Sequence, residues 1–202
     1  MLRTAVPLAG VLAASLLTYV ASEAAFTAST TTPGNNWAAG QVVLTNNTGP
    51  GNSHVVNGSA RFTATNIYPG DQLQRCISVR SDGGFAGSLK TYVANVGGTG
   101  LQNRIRLRIQ RAPLPSGTGP GTSIPANCAG FPAGTQTTVY NNFLTALPTS
   151  YAGATDTYAV AAGATGNAVY RIRWQFVSTG SSAGDNVYQG TNATADLVWE
   201  LQ

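Results

Sequence analysis

The segment Asn103–Arg111, NRIRLRIQR, decides the fold class. Ile105, Leu107 and Ile109 recur at every second position with arginines between them. That is the period of a half-buried strand and not of a helix. Alternation sends the three aliphatic side chains to a core and Arg104, Arg106 and Arg108 to the opposite face. Tyr170–Phe176, YRIRWQF, repeats the pattern: Ile172, Trp174 and Phe176 share one side, Arg171 and Arg173 the other. These five arginines are nearly half of the chain's 11 basic residues. Two readings are open. An exposed antiparallel sheet needs a polar face, and basic groups discourage stray edge pairing, so solvation alone accounts for the pattern. Alternatively, the arginines form a face for something anionic. Strand order separates the two. If the segments pair, like charges stand opposite one another, which destabilises the sheet without a counter-charge and favours an anionic polymer or a neighbouring subunit. If they lie in different sheets, the solvation reading wins.

Strand signals recur outward from this point. Gln41–Leu44 reads as a short strand and Ala60–Ile67 as another, stopped by the turn Tyr68-Pro69-Gly70-Asp71. Gln72–Arg80 follows, then the Ser-Asp-Gly-Gly turn at 81–84, then a strand over Ser88–Val96. Residues 113–134 are rich in Pro, Gly, Ser and Thr and carry Cys128; they read as an ordered excursion tied down by a disulfide, since a bare loop of that length is unusual in a compact domain. Val139–Leu147 fits a short strand or a helical turn equally. Val169–Val177 and Thr194–Leu201 close the chain as strands. Short strands, frequent turn signals and no long helical period predict an all-β, single-domain antiparallel sandwich, with about eight strands in Greek-key order making a jelly roll.

Composition agrees with an exported β protein. Only 9% of the 202 residues are charged, the formal charge is +4, and polar character comes from Gly, Ser, Thr and Asn. A charge this small gives no specific argument for nucleic acid. Residues 1–24 read as a signal peptide: Arg3, an apolar run from Thr4 to Val20, then the small-residue exit Ser22-Glu23-Ala24. An uncleaved anchor is the alternative, because 17 residues is the lower limit for a span. Cleavage after Ala24 places the chain in an oxidising compartment, where Cys76 and Cys128 are expected to pair.

The catalytic inventory is thin. His54, the one histidine, sits in a Gly/Asn-rich loop, and no serine occupies a nucleophile elbow. Asp71, Asp82, Asp156, Asp185, Asp196 and Glu200 are scattered, several in turn contexts where capping is the simpler role. No catalytic residue, metal ligand or cofactor site is assigned. Trp174 and Trp199 alternate with polar neighbours and are expected in the core, while Trp37 is undetermined between core and a sugar-stacking platform.

Several stretches, in order, carry a resemblance: AAFTAS after the signal, NNWAAGQVVLTNN, ARFTATNIYPGD, RCISVRSDGGFAG, and later LRIQR, CAGF, YRIRWQF and NVYQGTNATADLVWELQ. Together they resemble the TasA/camelysin family of secreted biofilm-matrix fibre proteins, in its actinobacterial-type members. The resemblance implies a jelly roll, export through a dedicated signal peptidase, and assembly into extracellular or cell-surface fibres. Some relatives carry a metallo-endopeptidase label, which one histidine and scattered acids support poorly. Family members often begin Phe-Thr-Asp, whereas this chain has Phe26-Thr27-Ala28. The fibre expectation also has a physical basis. The segment 25–35 begins Ala25-Phe26-Thr27-Ala28, is uncharged and β-prone, and is set off from the body by Pro33-Gly34. It can add as a strand to a neighbour's open sheet edge, or lie as an edge strand or frayed terminus of its own domain, residues 36–202.

Overall fold

The computed structural model describes residues 44–81, 86–114, 123–160 and 166–202. The expected signal peptide, the 25–35 segment, Trp37 and the turn holding Asp82 lie outside these residues. The described strands are β1 (Leu44–Asn46), β2 (Gln72–Ser81), β3 (Gly87–Gly98), β4 (Ile105–Pro113), β5 (Thr137–Phe143), β6 (Tyr158–Val160), β7 (Gly166–Phe176) and β8 (Ala193–Leu201). They form two antiparallel sheets, one in the order β1-β2-β7-β4-β5 and the other β6-β3-β8. From β2 onward the chain crosses between sheets at every connection except β4 to β5, so β2-β7-β4-β5 and β6-β3-β8 face each other in jelly-roll order.

Period-two patterning builds the core between the sheets. Ile77 and Val79 of β2, Ile109 of β4 and Ala168, Tyr170 and Ile172 of β7 pack with Leu89 of β3 and Val160 of β6. A second cluster joins Ile105, Leu107, Trp174 and Phe176 to Val93, Leu101, Leu144 and Leu147. Trp174 is buried as the alternation requires, and half-buried Trp199 packs a tilted ring on Tyr170 at 5.5 Å. Among the described residues one ion pair enters this interior: Arg111 donates to the Asp156 carboxylate, and both side chains are largely buried. Burial outweighs the attraction of Arg111 and holds the Asp156 carboxyl above its ordinary range.

Two expectations change. Ala60–Ile67 is not a strand. Ser59 donates its N–H to Thr48 Oγ1 at 2.9 Å and its hydroxyl to Thr48 O at 2.7 Å, and Arg61 donates to Asn47 O. These side-chain bonds take the place of a ladder, and Asn66 at φ 53° breaks any continuation. A short helix, α1 (Ser182–Asn186), also appears, capped by Ser181 Oγ, which accepts the Gly184 N–H at 3.1 Å. Val139–Leu147 resolves into both alternatives: the end of β5, then a 3₁₀ turn at Leu144–Ala146. The Tyr68–Asp71 turn closes through Asp71 N–H to Tyr68 O at 2.9 Å and uses a positive φ of 97° at Gly70.

Candidate functional site

β4 and β7, the two arginine-bearing strands, are neighbours. Their register sets Arg108 directly opposite Arg173, Gln110 opposite Arg171 and Arg106 opposite Gln175. Directly opposed residues share a face, so Arg106, Arg108, Arg171 and Arg173 all point away from the core. On the other side of β7, Gln74 lies opposite Arg173 and Gln72 opposite Gln175, which extends the surface with neutral amides. β5 adds Asn141 opposite Arg108 and Phe143 opposite Arg106. Among the described residues no carboxylate lies within salt-bridge distance of these four arginines, and Arg108 Nε is buried without a hydrogen-bond partner.

Half of this outer face is roofed. The excursion expected to be pinned by a disulfide is so pinned: Cys76 and Cys128 are bonded, with Cα atoms 5.0 Å apart. Ile124 packs with Cys76, Ala112 and Val169 in a small third cluster outside the sheet, flanked by Cys128 and Phe131. Asn47, fully buried, locks the roof down, donating to Ile124 O at 2.9 Å and accepting the Ser78 N–H at 2.8 Å. Arg171 lies at the roof's margin. Its guanidinium stacks over Phe131 at 4.4 Å from the ring centre and donates to the side-chain oxygens of Gln110 and Gln136. Burial first, then the nearby Arg108 and Arg173, lower its pKa from the ordinary arginine value. Arg106 is exposed, and Arg108 and Arg173 are half-buried beyond the roof.

Arg104 stands apart from the other four. It precedes β4 in a helical backbone conformation, donates Nε–H to Val177 O at 3.2 Å and lies 5.8 Å from the centre of the Tyr188 ring. Its charge also helps hold the Asp185 carboxyl below its ordinary range, behind the larger effect of the Thr179 N–H and the Ser178 hydroxyl that bond it.

The second feature is a groove that sequence reasoning did not find. It encloses about 820 Å³ along β8, between that strand and β1 with the loop that follows it. Its apolar lining includes Leu44, Phe62, Ile77, Val79, Leu197 and Trp199, and Arg61 is the basic residue on its wall. Burial and the proximity of Arg75 lower the Arg61 pKa from its ordinary value. β8 is the edge of its sheet, and among the described residues nothing pairs with its outer side. The groove follows from strand order: Leu197 and Trp199 face inward from an edge strand and stay half-buried, while Ile77 and Val79 at its floor are already buried in the core.

His54 sits half-buried in the loop beside Val55, which exchanges both backbone hydrogen bonds with Asn46 at 2.8 and 2.9 Å. Asp196 and Glu200 point outward from β8, where Asn95 and Tyr92 donate to them at 2.7 Å each. Among the described residues no three potential metal ligands gather. No protein-family model matches the chain, and no curated protein matches it at significant similarity.

Proposed function

We propose that the chain is a secreted structural protein, a subunit of extracellular or cell-surface fibres joined by strand exchange. The observation that carries this reading is the partly apolar groove beside the edge of β8, with which no described strand pairs on its outer side. A strand laid there gains backbone hydrogen bonds along an edge nine residues long and covers the half-buried Phe62, Leu197 and Trp199 with its alternate side chains. The segment beginning Ala25-Phe26-Thr27-Ala28 has the composition for that strand: uncharged, β-prone, with Phe26 and Ala28 on one face. A head-to-tail contact of this kind does not close on itself and propagates as a filament. The Cys76–Cys128 bond and the signal-like residues 1–24 support export, and the order of motifs shared with the TasA/camelysin family supports the fibre role.

Electron microscopy of the purified chain lacking residues 1–24 tests the reading. Filaments are expected that grow with protein concentration and tolerate salt, because backbone pairing and apolar burial hold them. Deleting Ala25–Thr32 is expected to leave a folded monomer. Filaments that persist after the deletion refute strand exchange by this segment.

A further inference from the structure

We propose that the arginine face of β4 and β7 is a docking surface for an extended polyol-phosphate chain, a linear phosphodiester polymer bound through its backbone. This does not rest on the fibre reading, since the face points away from the groove on the opposite side of the five-stranded sheet. Arg108 and Arg173 are fixed opposite each other by the ladder, about 5 Å apart at their Cβ atoms, and like charges so placed destabilise a sheet. Arg106 continues the row about 7 Å further along β4. No described carboxylate offsets them, and the Arg108 Nε–H is buried and unpartnered. The surface therefore holds aligned, preorganised donors whose electrostatic cost falls when an anion lies between them.

Chemistry narrows the anion. Arginine forks pair well with phosphate, and the two anionic oxygens of a phosphodiester, which diverge from a tetrahedral centre, can each accept from a different arginine of the Arg108–Arg173 pair. A repeating chain can then engage Arg106 as well. Gln72, Gln74 and Gln175 border the row and can both donate to and accept from hydroxyl groups of a polyol. Single-stranded nucleic acid is disfavoured because binding there relies on successive aromatic stacking platforms, and here the Phe131 ring is covered by Arg171, which leaves Phe143 opposite Arg106 as a single platform among the described residues of the row. A second copy of the chain is a poor occupant. The outer face of β3 and β8 offers Asp196 and Glu200 against Lys90, and hydrogen bonds from Asn95 and Tyr92 already engage both acids.

The test is fluorescence anisotropy of a short end-labelled poly(glycerol phosphate), with single-stranded DNA and polygalacturonate of matched charge as competitors. Saturable binding is expected to weaken by about 20-fold over a fourfold rise in salt if three phosphates are neutralised. R106Q/R108Q/R173Q is expected to lose at least about tenfold in affinity, a fall of the size counterion release predicts for three lost contacts, while Arg104→Gln binds as wild type. Amide shifts in the wild-type chain on adding polymer are expected at Arg106, Arg108 and Arg173, and this mapping decides the matter should the triple variant fail to fold. The proposal is overturned by absence of binding, by shifts elsewhere, by undiminished binding in a folded triple variant, or by tighter binding of DNA or polygalacturonate.

Discussion

Along β2 the chain closes off what it would otherwise leave bare. β1 pairs with only three residues at its far end, and beyond them the Cys128 excursion takes over: the Cys76 N–H donates to Ala126 O at 3.0 Å, the disulfide holds the loop, and Asn47 bonds Ser78 and Ile124. Along β8, by contrast, nine residues form an edge with an apolar groove beside it and no described strand on its outer side. An unprotected edge is an aggregation hazard that proteins normally blunt. The chain thus closes one edge by a covalent bond and buried side-chain hydrogen bonds, while no described strand covers the other, which is the arrangement the proposed strand exchange requires. On the proposed function the contrast also separates two kinds of energy, one spent within the domain and one available for association.

Removing the closure should have the largest effect. The disulfide spans a sequence separation of 52 residues, and in the chain-entropy model its loss destabilises by about 4 kcal/mol. Cys76→Ala with Cys128→Ala is therefore expected to show a lowered denaturation midpoint, and exposing the β2 edge should make it aggregate on storage. If the reduced chain melts with the oxidised one, the roof is held by packing alone and the comparison between the edges weakens.

Asn47→Ala should come next. Both ends of the amide are used in a fully buried position, so truncation strands the Ser78 N–H and Ile124 O and costs about 2 kcal/mol, read by chemical denaturation. Filament formation should survive it, because the Asn47 side chain is bonded into the roof and does not line the groove, although its neighbours Asn46 and Thr48 do. Loss of both stability and filaments in equal measure would mean that the two edges are one cooperative structure.

Much of this was legible beforehand, for a physical reason. Alternation in Asn103–Arg111 and Tyr170–Phe176 is imposed by the pleat itself, so the burial of Ile105, Leu107, Ile109, Ile172 and Trp174 could be read residue by residue. The cysteine pair was legible from its even number and the signal-like residues 1–24. What local pattern does not encode is adjacency. Nothing in either arginine segment says that Arg108 meets Arg173, and nothing in Asp196-Leu-Val-Trp-Glu-Leu says that its strand ends a sheet. Ala60–Ile67 misled because its alternation is real but unused. The preceding Ser59 and its own Arg61 are bonded to Thr48 and Asn47, and of its apolar positions only Phe62 and Ile67 are even partly buried. Arg104 misled similarly: parity places it with Arg106, but the backbone turns helical one residue before β4 starts.

The smallest change in domain stability should come from the open edge, and it is the most informative. Ala195 lies in β8 on the same side as Leu197 and Trp199, lines the groove, and is exposed. Ala195→Lys removes no contact of consequence and introduces no buried charge in the isolated domain, so its unfolding free energy should lie within about 0.5 kcal/mol of wild type. In an assembled filament the same lysine would be trapped beneath the incoming strand, where an unpaired charge must be desolvated. Sedimentation and electron microscopy are therefore expected to show a stable monomer that no longer polymerises, the inverse of the Asn47→Ala phenotype. A lysine variant that polymerises normally would place the subunit contact away from β8, and the straight apolar edge would then need another occupant.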